Sequence, residues 1–290
     1  MTMPMNERLE KGQSTIPYLW SRVLWRMKPA RLINTVERKA SPDSTVGRSL
    51  ISMKSVFWRG FHSNEARRLR ALKNKYSGHR CFILGTGPSL HVTDLSLLER
   101  EYTFAVNHFV PLGVSRFGLS PSFYCVSDRE QIDHTVQSFS HRIPRGTLCF
   151  FPLLKKSTLS QHITTTRNNV YYINDYDGEH IEAGFFSTEL DQLIYLGGSV
   201  IVDYCIPVAV YLGFTEIYLV GCDCTFDRGA HFFAPSQTHV SEDLRPDWQR
   251  AFLAFEVVKR HADQRGIRIR NATVGGQLEV FERVALAELF

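Results

Sequence analysis

The sequence contains no run of 18 apolar residues, which excludes a membrane-spanning helix on hydropathy grounds. Its first residues, MTMPMNERLEKGQS, have no apolar core, so no secretory leader is expected there. Cysteine is sparse, with six residues at 81, 125, 149, 205, 222 and 224. Only Cys222 and Cys224 stand close together, and a lone Cys-x-Cys lacks the second pair of a zinc site. A reducing, cytoplasmic setting with thiols as small buried side chains follows, and no metal site is expected. The Gly-Lys-Ser/Thr ending of a P-loop is absent. So are internal repeats and low-complexity tracts. The arginines lack the interleaved aromatics, RNA-binding motif or zinc module of a nucleic-acid binder, so nucleic acid is not an expected partner.

Acidic residues are scarce at the start of the chain. Residues 1–80 carry 17 Lys+Arg against 5 Asp+Glu, a balance of +12. The totals of 34 and 29 leave 17 against 24 for residues 81–290, a balance of −7. A basic region therefore precedes a mildly acidic body. Within it, IPYLWSRVLWRMKPARL (residues 16–32) repeats apolar residues at helical spacing beside Arg22 and Arg26. Two readings fit this helix. It lies on an anionic membrane surface with Trp20 and Trp25 at the headgroups, or it docks on the body with its arginines solvated. KASPDSTVG reads as a linker. NEARRLRALKNKYSGHR reads as a basic helix ending near Gly78.

From Cys81 onward, short apolar strands alternate with helical segments. RCFILG, YTFAVNHF, PSFYCVSD, GTLCFFPLL, NNVYYIND, TEIYLVGCD and IRIRNAT read as strands. GGSVIVDYCIPVAVYLG reads as a helix capped by Ser199, kinked at Pro207 and ended by Gly213. RPDWQRAFLAFEVVKRHADQRG reads as an amphipathic helix ended by Gly266. NATVGGQLEVFERV reads as a loop leading into a short strand or helix. This alternation predicts a Rossmann-like α/β fold with a doubly wound, mainly parallel sheet. A basic helical extension over 1–77 would precede a nucleotide-binding domain over 78–290.

Such sheets bind ligands beyond the C-terminal ends of their strands, and that rule sorts the polar residues. The turn Gly85-Thr86-Gly87-Pro88-Ser89 offers backbone N–H groups and hydroxyls to a phosphate; a tight structural turn is the plainer reading. Asn107 carries a donor and an acceptor suited to a base or sugar edge, or forms a turn. Asp128 suits a hydroxyl or a metal, or caps the following helix, or joins Arg129 and Glu130 in a solvated charge cluster. Gly198 and Ser199 open a helix whose dipole favours an anion, or form an ordinary cap. Asp223 closes the last central strand and is a further candidate ligand contact. The segment from Cys224 to about Leu244 has the length of a lid. It carries His231 and His239, either of which suits a general base near neutral pH or a surface histidine.

FILGTGPSL, FAVNHF, FYCVSD and GGSVIVDYCIPVAVYLGFTEIYLVGCD, in that order, resemble the bacterial sialyltransferases of glycosyltransferase family 42. They also resemble related lipopolysaccharide glycosyltransferases and the pterin pyrophosphokinase-like family, to which the ending IRIRNATVGGQLEVFERV is the more similar. The first resemblance implies an inverting transferase using a CMP-activated ulosonic acid without a metal or other cofactor. Its acceptor would be a glycan or glycolipid such as lipopolysaccharide or capsule, met at the inner membrane face. It implies nucleotide contacts from Gly85, Thr86, Gly87, Ser89 and Asn107, with a lid histidine as base. Thr86 departs from the sialyltransferase pattern, which has Asn there, and Gly198-Ser199 reverses that family's Ser-Gly. The second resemblance implies diphosphate transfer from ATP to a small alcohol, with Mg²⁺ held by Asp128 and Asp223. Nothing in the residues fixes the oligomeric state, a homo-oligomer included.

Overall fold

The computed structural model of the chain describes residues 63–163, 169–176, 184, 186–225, 232 and 248–290. All lie within a compact unit spanning Lys54–Phe290. The expected helix at 16–32, the linker and most of the expected lid, with His231 and His239, lie outside the described residues.

Eight strands form one sheet: β1 (Arg80–Leu84), β2 (Tyr102–Val106), β3 (Phe123–Cys125), β4 (Leu148–Pro152), β5 (Val170–Ile173), β8 (Glu216–Val220), β9 (Arg268–Asn271) and β10 (Glu282–Arg283). Their order is β10-β9-β8-β1-β2-β3-β4-β5, and every pairing is parallel. Two short strands, β6 (Asp175–Tyr176) and β7 (Ile194–Tyr195), pair separately, also in parallel. The sheet is the expected doubly wound one. The pair β6–β7 was not foreseen, because two residues carry no periodicity to read.

The central strands are buried on both faces, which is why they read as continuous apolar runs. Cys81 and Ile83 face one core with Phe104, Val106, Phe123 and Phe150. Phe82 and Leu84 face the other with Ala105, Tyr124, Cys149 and Phe151. Helices α1 (Ser63–Arg70), α5 (Ile206–Leu212) and α6 (Trp248–Gln264) cover the first face, contributing or flanked by Leu69, Leu72, Val208, Leu212, Ala254 and Val258. A short turn of helix, α2 (Val114–Phe117), and helices α3 (Arg129–Phe139) and α4 (Lys156–His162) lie between them in sequence. Ile132, Val136, Phe139 and Leu159 of α3 and α4 serve the second face. Leu69 and Leu72 thus bring the chain upstream of residue 78 into the core.

Two helix ends depart from the sequence reading. Helix α1 stops at Arg70 rather than running to Gly78. Beyond it, the Asn74 and Tyr76 N–H groups donate to the carbonyls of Tyr211 and Leu212. Those are terminal acceptors of α5 with no partner inside that helix, so tertiary contact outweighs helix propensity. The segment at 200–212 is wound as a π turn over Ile201–Cys205 before α5 begins. Pro207 then falls in the first turn of α5, where its missing N–H is tolerated. Gly213 ends the helix with φ 100°, as its position predicts.

Candidate functional site

The chain runs outward from β1 toward β5, then returns to the other side of β1 as β8. The sheet therefore reverses direction between β1 and β8, the place where open α/β sheets form a ligand crevice. The register sets Leu84 beside both Ala105 and Val220. The turn Gly85–Ser89, Asn107 and the turn Gly221–Asp223 consequently emerge side by side.

The glycine turn is built against the exit of β8. Gly85 N–H donates to Val220 O and Gly87 N–H to Gly221 O, each at 2.8 Å. Asp223 takes the next two donors. Its Oδ1 accepts Ser89 N–H at 3.1 Å and its Oδ2 accepts the Ser89 hydroxyl at 2.7 Å. Both residues are buried. A β-carbon on Gly87 would stand 2.5 Å from Asp223 Cγ and 2.7 Å from Gly221 O. One on Gly85 would stand 2.9 Å from Gly221 C and nearer still to its oxygen. These glycines are dictated by the close approach of one backbone to another. The N–H groups of Gly85, Gly87 and Ser89, read from sequence as phosphate donors, point inward instead. Thr86 stays half-buried at the tip of the turn, and its carbonyl accepts Phe232 N–H at 2.8 Å. Phe232, the residue after His231, is buried against Phe109 and Phe117.

Asn107 closes β2 in the left-handed region, φ 46°, a conformation Asn tolerates better than most residues. Its carbonyl accepts the Tyr124 hydroxyl at 2.7 Å. Its side-chain Oδ1 is buried with no hydrogen-bond partner among the described residues. A buried acceptor left bare costs roughly 1–3 kcal/mol, so a donor from beyond the described residues would stabilise it. The next residue, His108, is also buried, with Nε2 at 2.7 Å from Gln131 Nε2.

Asp128 caps α3, its Oδ1 accepting from the N–H groups of Glu130 and Gln131 at 2.9 and 3.0 Å. Beside it, Arg129 Nη2 donates to Asp175 Oδ1 at 2.5 Å, and Asp175 Oδ2 accepts the Tyr204 hydroxyl at 2.6 Å. The second glycine turn is also filled from within. The helix following it has no side-chain cap from Ser199. Instead Gly197 N–H donates to Asp203 Oδ1 at 2.5 Å. Burial pushes the Asp203 carboxyl up to about 7; the Gly197 N–H opposes this, and the Asp175 charge adds to it. Arg250 and the Ser199 N–H also oppose the rise, and Arg250 Nη2 donates to Leu196 O at 3.3 Å beside the turn. Gly198 there has φ 86°.

The structure thus gathers Gly85, Thr86, Gly87, Ser89, Asn107 and Asp223 around one crevice. Asp128 lies at the end of β3, and Gly198 and Ser199 follow β7 of the separate two-stranded sheet. Asp175, Asp203, Arg129 and Arg250 were missed. Aspartates inside apolar segments (IND, VIVDYC) were the only available signal. Among the described residues, no three His, Cys, Asp or Glu side chains form a metal-binding group, and no helix is long and apolar enough to cross a membrane. All six cysteines are free thiols.

The parallel sheet, with its strand order reversing between β1 and β8, places the chain among the doubly wound α/β proteins. The family model described as 6-hydroxymethylpterin diphosphokinase MptE-like matches residues 59–229, more than half of the chain, and the chain belongs to that family. The match includes α1 and stops before α6, so the ending IRIRNATVGGQLEVFERV lies outside it. No curated protein matches by sequence. Similar solved structures include the sialyltransferase CstII from Campylobacter jejuni in complex with a substrate analogue, cytidine-5'-monophosphate. It is 17% identical, with 72% of this chain and 86% of that chain covered and a TM-score of 0.45. The sialyltransferase CST-II in complex with a trisaccharide acceptor and CMP is 18% identical, covering 70% and 84%, with a TM-score of 0.43.

Proposed function

We propose that the chain is a transferase that binds a CMP-activated ulosonic acid in the crevice between β1 and β8 and passes the sugar to a glycan hydroxyl with inversion. The observation that carries the nucleotide is Asn107. Its buried Oδ1 accepts no hydrogen bond from the described residues and sits at the strand end beside the glycine turn. An exocyclic amine or a sugar hydroxyl of the donor would satisfy it. The Thr86 hydroxyl lies at the tip of the adjoining turn. Asp128 after β3, and Gly198 and Ser199 after β7, are further candidate contacts. Departure of CMP leaves positive charge at the anomeric carbon and negative charge on the phosphate, which hydroxyl donors stabilise. A general base must take the acceptor proton; His231 and His239 are the candidates from sequence. The basic N-terminal region would bring the enzyme to an anionic membrane face where lipid-linked acceptors lie.

Family membership favours a second reading, diphosphate transfer from ATP to a small alcohol. That chemistry asks for Mg²⁺ held by carboxylates. Asp128 and Asp223, the carboxylates sequence suggested for it, each already accept two hydrogen bonds from the chain. Calorimetry with CMP, CTP, UDP and Mg·ATP, followed by CMP release from CMP-Kdo and CMP-sialic acid, separates the readings. CMP binding and CMP release support the first. Binding of Mg·ATP alone, with turnover abolished by EDTA, supports the second and overturns the first.

A further inference from the structure

Two features fix the turn Gly85–Ser89 to Asp223, and three more fix residues 222–223 to the C-terminal segment. The carboxylate holds Ser89 through both N–H and hydroxyl. Gly87 lies so close to Asp223 that any β-carbon would meet the carboxylate. The Asp223 carbonyl accepts Gln277 N–H at 2.7 Å. A β-carbon on Gly276 (φ 78°) would stand 2.6 Å from that carbonyl oxygen. One residue earlier, Cys222 N–H donates to Thr273 Oγ1 at 3.0 Å. The C-terminal segment 273–277 therefore grips the backbone of residues 222–223, and the Asp223 side chain passes that grip to the glycine turn.

We infer that Asp223 is a positioning residue: it holds the crevice turn in shape from the inside, through Ser89 and Gly87, without touching the nucleotide. This reverses the reading of Asp223 from sequence as a ligand contact, and it rests on the proposed nucleotide site only for its functional consequence. The physical reason is economy of donors. A phosphate-binding turn must keep its shape when empty, and a carboxylate with two hydrogen bonds to the turn supplies that rigidity in advance. Its two oxygens each take a Ser89 donor, so the carboxylate acts by orienting the turn. The segment that braces it, 273–277, lies beyond the 59–229 family match, so this brace comes from the chain's own C-terminal part.

The test compares free wild type with Asp223→Asn, Asp223→Ala and Ser89→Ala, by residue-resolved amide exchange and by CMP calorimetry. Asp223→Ala should speed exchange at Gly87 and Ser89 at least about tenfold beyond any change at core amides such as Phe104 and Phe150. CMP affinity should fall about tenfold, and adding Ser89→Ala to Asp223→Ala should cost little more, because both remove one interaction. Asp223→Asn keeps one acceptor for Ser89 N–H and should lie between. If Asp223→Ala does not fold, Asp223→Asn and Ser89→Ala carry the comparison. Unchanged exchange at Gly87 and Ser89 overturns the inference. So does a double variant whose losses in CMP affinity multiply, which would mean direct contact with the ligand. Should wild type bind neither CMP nor Mg·ATP, the proposed function fails, and the exchange result decides the positioning role by itself.

Discussion

Gly87→Ala tests the reasoning about the glycine turn most directly. The backbone at 87 is extended, φ −67° and ψ 156°, so alanine meets no conformational penalty there. The whole cost is steric. The new carbon would lie 2.5 Å from Asp223 Cγ and 2.7 Å from Gly221 O, where ordinary contacts between carbon atoms are near 3.5–4.0 Å. Overpacking of this kind costs roughly 1–3 kcal/mol. If Asp223 swings aside to relieve it, two hydrogen bonds to a buried carboxylate are lost, at about 1.5–3 kcal/mol each. The cheaper route sets the cost, so a destabilisation of about 1–3 kcal/mol is expected, or about 2–6 °C in melting temperature for a domain of this size. In an Asp223→Ala background the same substitution should cost less, because only the Gly221 carbonyl then obstructs it. Thermal and urea unfolding of the four proteins give the coupling. A Gly87→Ala melt within 1 °C of wild type, or equal costs in both backgrounds, would refute the packing origin of this glycine and leave close ligand approach as its explanation.

Three further outcomes follow from the same geometry. Asn107→Gly keeps the left-handed backbone while removing the bare acceptor, so stability should stay within about 1 kcal/mol of wild type; CMP affinity should nevertheless fall at least about tenfold by calorimetry, and retained affinity would remove Asn107 from the site. The Asp203 carboxyl is raised to about 7 in the fold from 3.8, so its contribution is present at pH 4 and lost as pH rises through 7, a fall of a few kcal/mol. Asp203→Asn should flatten that slope in unfolding measured between pH 4 and 8, and an unchanged slope would place the titration elsewhere. Arg129→Ala leaves Asp175, whose side chain is 1% exposed, without its cation, and should cost about 3 kcal/mol, with Arg129→Lys recovering part of the loss in chemical denaturation.

Much of the fold was legible because parallel strands buried on both faces cannot hide. The buried stretches Cys81–Leu84, Phe104–Val106 and Ile217–Val220 must be apolar throughout, and their spacing by helical segments leaves a doubly wound sheet as the simplest arrangement. Glycines and prolines marked the ends for local reasons: Gly213 stops α5 because only a residue free to take positive φ ends a helix that way. The early end of α1 was not legible. Its cause is a pair of helix-end carbonyls at 211–212, more than a hundred residues away in the chain, that take the Asn74 and Tyr76 N–H groups. The strands β6 and β7 were not legible either, since neither is long enough to show a period.

The sequence by itself determined the sheet, the placing of polar residues at strand ends, and the family. It could not determine what each of those polar residues does, because a glycine turn, a serine and an aspartate look alike whether they face a ligand or one another. Only the tertiary structure decided that Gly85, Gly87 and Ser89 turn inward to Val220, Gly221 and Asp223, that Asp203 occupies the second glycine turn, and that Asn107 is left with an acceptor to satisfy. The physical reason is that hydrogen-bond partners are assigned by distance in space, and strands β1 and β8, neighbours in the sheet, are more than 130 residues apart along the chain.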